Sequence, residues 1–441
     1  MQLPEILTSI PGPRSREAAA RLRRYESRNV TYIDAEYPVF WERAQGCNVW
    51  DVDGNRFVDW TSAFGVCGLG HTNPAVQAAL VGQAGRLFHA MGDVHPTPLK
   101  AELCARLSAM TFERWGAGEG RVILGNSGFE AVEAALKTAL LATGRRRVVA
   151  FEGGYHGLGY GALEVAGLPY FSAPFRLQLA EWTTWVPFPV GEGALAGVEA
   201  ALRAVLEAGE TGAVLAEPVQ GRGGERLPPP GFLPMLRRLC DEYGALLILD
   251  EIYTGLNRTG RLFATEAPGV VPDLICLGKG LTSGFPLSAC VGRAACMEAW
   301  PLSTGEALHT STFLGNPLGC AMALASLAQH EAPEVAAGVR ERGERLLAVL
   351  RGLSSPWIVE VRGVGLLVGL ELSLGGAAVN DLVKAGLREG LILLQSGSQG
   401  NVLAFTPPFS IGDAAMEHLA AFLRKSLAAL PGPFPVPDAG K

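Results

Sequence analysis

Small and polar residues follow the apolar run Arg121–Leu124, just before a helical pattern that begins near Phe129. This segment, Gly125-Asn-Ser-Gly128, would present backbone N–H groups and the positive end of a helix dipole, which together attract an anion. Small residues between a strand and a helix are also ordinary turn chemistry. The motif therefore indicates a candidate phosphate site, and a structural turn is the alternative.

Asp250 directly follows the apolar run Leu246–Leu249. A carboxylate at this position needs a partner, because burying an unpaired charge is costly. One suitable partner is the protonated ring nitrogen of a pyridine cofactor, because an acid at that place keeps the ring an electron sink. A structural or capping role for the aspartate is the alternative.

Lys279 stands between two glycines after the apolar run Leu274–Leu277. Glycines let a planar ligand approach closely, and a desolvated amine loses its proton more readily, as an imine-forming lysine must. An ordinary surface charge is the alternative for this residue taken alone. A phosphate cradle, an acid for a ring nitrogen and an imine-forming lysine are together what pyridoxal phosphate requires.

The elements around these motifs alternate between helices and short apolar strands. Continuous apolar strands separated by helices form a mostly parallel sheet covered on both faces, and ligands bind at the carboxyl ends of such strands. The pattern therefore predicts an α/β fold with the three motifs at one edge of the sheet. The predicted strands are 121–124, 148–151, 213–216, 246–249 and 274–277, and the predicted helices are 74–90, 98–113, 129–143, 194–208 and 231–243.

The flanking segments have the patterns of a smaller α+β unit. They comprise a helix at 14–27, a hairpin over 48–60 with Asp53-Gly54 in its turn, a helical region at 318–352, strands at 358–361 and 366–372, a helix at 379–389, two short strands, and a helix at 413–429. We expect residues 1–70 to contribute to the small domain, 71–320 to form the large cofactor-binding domain and 321–441 to form the C-terminal small domain. The Pro/Gly-rich tail 431–441 is expected to be frayed.

A series of motifs in chain order resembles the class III aminotransferases, the fold-type I pyridoxal-phosphate enzymes that include ornithine, 4-aminobutyrate and ω-amine transaminases. The resemblance covers roughly residues 30–430, and the separation of Asp250 from Lys279 fits the family's usual spacing. The motifs are Gly125-Asn-Ser-Gly-Phe-Glu-Ala131, Tyr155-His-Gly157, Glu217-Pro-Val-Gln-Gly221, Asp250-Glu-Ile-Tyr-Thr-Gly255, Arg258-Thr-Gly260, Leu277-Gly-Lys-Gly280 and Ser311-Thr-Phe-Leu-Gly-Asn-Pro317.

The resemblance implies a fold-type I architecture, with a mostly parallel seven-stranded sheet in a large domain and a smaller α+β domain. It implies that Lys279 holds pyridoxal phosphate as a Schiff base and moves the substrate proton, and that Asp250 pairs with the pyridinium nitrogen. It also implies a homodimer with shared active sites, or a tetramer of such dimers. The other implied cofactor contacts are Ser127, Gly128 and Phe129 at the phosphate, Tyr155 and Ile252 on the two ring faces, Glu217 and Gln220 near the ring hydroxyl and the lysine, and Thr312 at the phosphate of the neighbouring subunit.

Two aromatic positions have open interpretations. His156 is expected to make a structural hydrogen bond near the ring, with acid–base chemistry as the alternative. Phe64 matches a family position that lines the substrate pocket, with a core aromatic as the alternative.

Three departures from the family pattern concern the substrate. Amino-acid-specific members carry an arginine on the last small-domain strand that binds the α-carboxylate, and Ala404 stands at that place here. Many of them also carry a glutamate where this chain has Arg222, and glutamine or methionine where it has Tyr253. Arg222 is therefore a candidate partner for an oxo-acid carboxylate. The alternative is that it points to solvent or pairs with Glu225.

These features predict a ping-pong aminotransferase that moves an amino group from an amine or ω-amino compound to an oxo-acid such as pyruvate or 2-oxoglutarate. With Ala404 the donor need not carry an α-carboxylate, and Phe64 and Tyr253 would supply apolar surface for it. The alternatives are an aminomutase of the glutamate-1-semialdehyde type, or a racemase, epimerase or decarboxylase on the same fold. Arg258-Thr-Gly260 is more typical of transaminases. A non-catalytic regulator would need a fused recognition module, and the resemblance leaves no segment of that size.

Composition excludes other classes of function. The net charge of −6, with no basic run longer than three residues, offers no electrostatic footprint for nucleic acid. The eight cysteines include no Cys-x-x-Cys pair, which favours reduced thiols over disulfides or a metal site. The sequence shows neither a secretory signal nor an apolar run long enough for a membrane span, so we expect a cytoplasmic protein.

Overall fold

The structure, a computed structural model, describes residues 1–430, so the expectation for the tail 431–441 lies outside the described residues. The helices are α1 (Pro13–Tyr25), α2 (Ser62–Gly65), α3 (Pro74–Ala84), α4 (Pro98–Ser108), α5 (Gly128–Thr143), α6 (Tyr160–Glu164), α7 (Pro169–Ser172), α8 (Leu195–Leu206), α9 (Phe232–Tyr243), α10 (Ala294–Met297), α11 (Pro317–His330), α12 (Pro333–Arg351), α13 (Gly376–Arg388) and α14 (Asp413–Ala428). The strands are β1 (Trp41–Gln45), β2 (Asn48–Asp51), β3 (Arg56–Asp59), β4 (Gly120–Gly125), β5 (Arg147–Phe151), β6 (Thr183–Val186), β7 (Thr211–Ala216), β8 (Leu246–Asp250), β9 (Leu274–Leu277), β10 (Ser288–Arg293), β11 (Ile358–Val364), β12 (Leu367–Leu372), β13 (Leu391–Ile392), β14 (Leu394–Ser396) and β15 (Val402–Phe405).

A seven-stranded sheet in the order β4-β10-β9-β8-β7-β5-β6 forms the centre of the large domain. Neighbouring strands from β9 to β6 are parallel, and β10 is antiparallel to both β9 and β4. Two antiparallel steps restore the original direction, so β4 also runs parallel to the others. The carboxyl ends of β4, β5, β7, β8 and β9 therefore meet at one edge, which is where the polar motifs follow.

Helices cover both faces of this sheet. On one face α5 packs in a core that contains Val148 and Ile248, and on the other α8 and α9 pack in a core that contains Val149 and Leu249. Successive strand residues point to opposite faces, so both must be apolar. This double coverage confirms the interpretation of the continuous apolar runs.

The smaller domain contains two four-stranded sheets. One has the order β1-β2-β3-β13 and the other β11-β12-β15-β14. The predicted hairpin is confirmed, since β2 and β3 pair antiparallel around a turn in which Gly54 has φ +89°. β13 pairs in parallel with β3 and so joins the N-terminal segment to the C-terminal part of the chain.

The predicted helical region 318–352 is helical and consists of two helices, α11 and α12. Pro333 starts the second helix, and the preceding Ala332 is extended, with ψ 120°. Proline disfavours the helical conformation in the residue before it, which explains the break.

Among residues 1–430, no helix has both the length and the apolar character needed to cross a membrane.

Candidate active site

A cavity of about 600 Å³ opens where the strands of the central sheet end. Its walls come from the loops after β5, β7, β8 and β9, the start of α5, the loop before α3, and β14 of the small domain. The predicted site residues that line it are Phe64, Gly128, Phe129, Tyr155, Glu217, Arg222, Asp250, Ile252, Tyr253 and Lys279. The structure thus brings together residues that lie far apart in sequence.

Asp250 is buried at the end of β8, and each of its carboxylate oxygens has a partner. Oδ1 accepts a hydrogen bond from the backbone N–H of Ile252 at 3.1 Å, and Oδ2 lies 2.8 Å from Nδ1 of His156. Burial acts to lower the pKa of His156, but the hydrogen bond and the charges of Asp250 and Glu217 outweigh it and raise the pKa. The contact favours the structural hydrogen bond expected for His156, and it holds the carboxylate in one orientation.

Lys279 lies in the first turn after β9, and its backbone is unusual. Its φ is +40°, a region that non-glycine residues rarely adopt and that concentrates at functional sites. The amine lies 4.7 Å from the centroid of the Tyr253 ring. Burial lowers the pKa of the amine, against the opposing influence of the nearby carboxyl groups of Asp250 and Glu217. The side chain is thus placed and desolvated as a nucleophilic amine requires.

The start of α5 has features of an anion site. Ser127 precedes the helix, and its hydroxyl Oγ is buried with no hydrogen-bond partner among residues 1–430. Buried polar atoms are normally satisfied, so an unpaired hydroxyl beside a helix N-terminus leaves room for an acceptor from a ligand. A Cβ added to Gly128 would lie 3.0 Å from Ile252, which shows how closely the two loops approach.

Glu217 organises the loops that follow β5 and β7. Its carboxylate accepts hydrogen bonds from the backbone N–H groups of Tyr155 at 2.9 Å and Gly221 at 3.0 Å. Burial raises the pKa of this carboxyl to about 7. Gln220 lies outside the cavity wall, where its Nε2 donates to the carbonyl of Glu152 and its Oε1 has no partner in the described chain.

The Tyr253 ring is held between two backbone segments. A Cβ on Gly65 would lie 2.4 Å from the ring, and one on Gly221 would lie 2.2 Å from it. The hydroxyl of Tyr253 lies 3.2 Å from Oγ1 of Thr406. Only glycine leaves space for the ring on either side.

Phe64 projects from a turn in which Ser62, Ala63 and Phe64 have φ values of +47°, +50° and +62°. Three consecutive positive φ values in non-glycine residues are costly and must be held by surrounding contacts. Its side chain is 64% exposed and faces the cavity, so the interpretation as a core aromatic is wrong.

Arg222 lines the cavity and donates from Nη1 to the carbonyl of Gln395 at 3.1 Å. It makes no ion pair with Glu225 or with any other acid among residues 1–430. Ala404 is buried in β15, opposite Gly369 of β12, so neither of these positions supplies a cation to this side of the cavity.

Three predicted cofactor residues do not line the cavity of the single chain. Ser127 and Gln220 lie just behind its walls, whereas Thr312 is exposed on the surface.

Several residues of the cavity wall carry no signal in the sequence. Glu225 lies in the loop after β7 and Ser396 on the short strand β14 of the small domain. Their positions depend on tertiary packing, and no local motif marked them. The remaining unpredicted lining residues are Gly157, Leu158, Phe171 and Leu394, together with His156, for which only a structural contact was expected.

The chain has clear relatives among known proteins. The family model described as aminotransferase class-III matches residues 31–427. An acetylornithine aminotransferase from Methanopyrus kandleri is 38% identical over 90% of this chain and 96% of its own length. The ornithine aminotransferase from Toxoplasma gondii aligns with a TM-score of 0.83 at 31% identity, over 94% of this chain and 95% of its own. An amine transaminase from an uncultivated Pseudomonas species, solved with pyridoxal phosphate bound, has a TM-score of 0.84 at 29% identity, over 92% and 98% of the two chains.

The fold is that of a pyridoxal-phosphate enzyme with the fold-type I architecture, as the sequence predicted. The chain belongs to the class III aminotransferase family. Its cofactor is pyridoxal phosphate, and the residues present suit that group. An unpaired serine hydroxyl lies at a helix N-terminus, a buried carboxylate at one strand end, and a desolvated lysine at the next.

Proposed function

We propose that this aminotransferase moves an amino group from an amine or ω-amino compound to an oxo-acid, either pyruvate or 2-oxoglutarate, by a ping-pong mechanism. The observation that carries the proposal is the meeting of Lys279 and Asp250 in one cavity whose walls are otherwise mainly aromatic and aliphatic. The absence of an arginine at Ala404 supports a donor without an α-carboxylate.

We assign the proton transfers to Lys279. Pyridoxal phosphate, when bound, supplies an aldehyde for the amino group and a ring that accepts electrons. Because burial lowers the pKa of the Lys279 amine, the side chain holds a basic lone pair that can take a proton from the substrate carbon and return it. The neighbouring Tyr253 ring limits the directions from which this amine can act.

We assign to Asp250 the task of keeping the ring nitrogen protonated. The contact with His156 at 2.8 Å orients the carboxylate. We further assign the start of α5 to the cofactor phosphate, which would contact Gly128 and Phe129, with Ser127 next to them in the chain. We assign the two faces of the cofactor ring to Tyr155 and Ile252. Glu217 and Gln220 would act beside the ring hydroxyl, Glu217 by fixing the loop that carries Tyr155.

Substrate contacts are assigned to the outer part of the cavity. Arg222 would bind the carboxylate of the oxo-acid, which is supported by its guanidinium lining the cavity without an acidic partner among residues 1–430. Phe64 and Tyr253 would pack against the apolar part of the donor.

We also propose a homodimer that shares its active sites, with Thr312 reaching the phosphate site of the neighbouring subunit. Exposed apolar side chains support this, because large apolar patches mark interaction surfaces. Around Thr312 and the segment that contacts it, Phe88 is 66%, Leu308 73% and Phe313 59% exposed. Asn316 links the two segments by donating to the carbonyl of Phe88.

The division into 1–70, 71–320 and 321–441 is proposed as the domain organisation. It is supported by the pairing of β3 with β13 and by a core that joins Val58 and Trp60 to Val339 and later residues. The helix α11 packs with the large domain, since Ala323 and Leu327 share a core with Leu103. A reducing, cytoplasmic location is proposed because all eight cysteines are free thiols.

A half-reaction tests the function. The holoenzyme mixed with 1-aminopentane alone should stop after one conversion, with its absorbance shifting to that of pyridoxamine phosphate, and pyruvate or 2-oxoglutarate should restore the original spectrum. A racemase, epimerase or decarboxylase would keep the aldehyde-form spectrum, and an aminomutase would respond only to a substrate that carries both functional groups. Retention of the original spectrum with every donor amine would contradict the proposal.

A further inference from the structure

Glu225 is a buried acid in the cavity wall whose carboxylate is almost unsatisfied. The residue is 1% exposed, and its Oε2 has no hydrogen-bond partner among residues 1–430. Among residues 1–430 its Oε1 has only the hydroxyl of Ser396 at 3.4 Å. The same hydroxyl oxygen lies 3.3 Å from the carbonyl oxygens of Gly221 and Arg222, so its single proton has three possible acceptors. An O–H···O hydrogen bond is normally 2.5–3.0 Å, so the described part of the chain offers Glu225 no donor at that distance.

The backbone fixes this acid in place. The segment from Gln220 to Arg226 is a closed loop, in which these two residues exchange backbone hydrogen bonds at 3.1 and 2.9 Å. Glu225 has φ +49° within it, a conformation that costs energy for a residue with a Cβ. The carboxylate is therefore held against the cavity rather than free to turn to solvent.

The charges of Arg362 and Arg222 act on Glu225 from nearby and oppose the effect of burial, but among residues 1–430 neither forms an ion pair with it. Arg362 donates to Glu360, Glu371 and the carbonyl of Gly224, and Arg222 donates to the carbonyl of Gln395. On the strand side, a Cβ placed on Gly369 would lie 3.4 Å from Oε2 of Glu225, so a glycine faces the carboxylate.

Ala404 faces the same way as this glycine, since residues directly opposite in an antiparallel pair share a face. A buried carboxyl without a partner calls for an explanation beyond structure.

We propose that Glu225 binds a second ammonium group at the far end of the amino donor, so that the enzyme prefers aliphatic diamines to monoamines. This inference rests on the proposed function, because it assumes that one amine of the donor reacts beside Lys279. The two ends of such a donor would lie in the same cavity, which both Glu225 and Lys279 line. The methylene chain between them would pack on Phe64, Tyr253 and Leu394.

An ammonium group suits this position better than a neutral or anionic group. Burial raises the pKa of the Glu225 carboxyl to about 8, and a cation alongside would restore its ionised form. The resulting charge-assisted hydrogen bond would satisfy the oxygen that now lacks a partner. A substrate carboxylate at this position would face the carboxyl group of Glu225, which offers it no positive charge. Arg222, on the more exposed part of the wall, is a better partner for a carboxylate.

The test compares 1,5-diaminopentane with 1-aminopentane as donors. The wild-type holoenzyme should have a higher kcat/KM for the diamine, and Glu225→Gln should reduce that preference by about 10-fold, the value of a hydrogen bond to a charged group. The monoamine should change little. Glu152→Gln is the control, because it removes an exposed acid after β5 that does not line the cavity and forms no ion pair among residues 1–430. An equal preference in Glu225→Gln and wild type would overturn the proposal.

A binding measurement separates this inference from the proposed function. Wild type and Glu225→Gln are treated with borohydride, which prevents the donor from reacting, and each is titrated with 1,5-diaminopentane in a calorimeter. Weaker binding by about 10-fold in the variant supports the proposal. Equal binding, or no binding to either protein, overturns it. Failure of the half-reaction with both amines, by contrast, contradicts the proposed function, and the calorimetric result still decides the role of Glu225.

Discussion

At the scale of single residues, burial lowers the pKa of the Lys279 amine, and a lower pKa favours the neutral form that acts as a nucleophile. A solvated lysine is a surface charge, whereas the pKa of this amine is lowered because the cavity wall removes water from it. The positive φ of Lys279 shows that the backbone is distorted to bring the side chain there. This conformation costs free energy and persists only because the surrounding structure holds it in place. The strand β9, which directly precedes the lysine loop, is fully buried and supplies part of that packing.

Arg222 provides the residue-scale prediction. Replacement by alanine should raise the KM for pyruvate and 2-oxoglutarate by about 10-fold or more, because a charge-assisted hydrogen bond to the carboxylate is lost. The donor half-reaction should be affected much less. Steady-state kinetics with each oxo-acid would measure this. Arg226→Ala is the control, since it changes the same loop without lining the cavity. An unchanged KM in Arg222→Ala would remove Arg222 from the acceptor site.

The roles of the polar residues at the strand ends could be predicted because the evidence for them lies in the neighbouring residues of the sequence. Asp250 and Lys279 each follow an apolar run, and the chemistry of each is legible from its neighbours in sequence. Glu225 and Ser396 were not predictable in this way, because their meeting depends on how the loop after β7 packs against β14.

At the scale of elements, glycines determine how closely the loops approach. The ring of Tyr253 fits between Gly65, at the end of α2, and Gly221, in the loop after β7. A side chain on either glycine would displace the ring, whose centroid lies 4.7 Å from the amine of Lys279. Loop packing therefore sets the position of the groups beside the lysine.

Gly221→Ala should accordingly destabilise the protein by about 1–3 kcal/mol, the usual cost of overpacking, and should lower the rate of the donor half-reaction. Thermal melting and stopped-flow absorbance would measure the two effects. Gly193→Ala is the matched control, because nothing lies within 4 Å of the added Cβ there. The packing argument fails if Gly221→Ala melts and reacts like the control.

Two strands of the central sheet, β6 and β10, were not predicted, because neither is a continuous apolar run. β6 reads Thr-Thr-Trp-Val and lies at the sheet edge, where only β5 pairs with it, so it needs no continuous apolar run. β10 lies inside the sheet, but its serine, glycine and arginine interrupt the apolar pattern. The break between α11 and α12 has a local signal in Pro333, although the pattern on both sides of it is helical.

At the scale of the whole molecule, the family's architecture was predictable because ordered motifs extend along most of the chain. The pairing of β3 with β13 is a long-range contact that motif order alone does not specify. The exposure of Thr312 is the main feature that a single chain leaves unexplained, and a second copy of the chain would account for it.

We therefore expect the holoenzyme to be a dimer in solution. Phe88→Asp combined with Phe313→Asp should produce monomers, because charges would be buried in an apolar interface, and the cofactor should bind more weakly. Light scattering after size exclusion and the absorbance of bound cofactor measure both effects. Leu177→Asp, at a fully exposed position elsewhere, is the control. A monomeric wild-type protein that retains its cofactor would refute the shared-site proposal.

The most direct test of the account concerns the amine at position 279. Wild-type holoenzyme is reduced with borohydride and digested, and the peptides are analysed by mass spectrometry. The account predicts that the phosphopyridoxyl group is found on the peptide that contains Lys279, and that Lys279→Ala shows neither this label nor turnover. A label on another lysine, no label, or a Lys279→Ala variant that still turns over would contradict it.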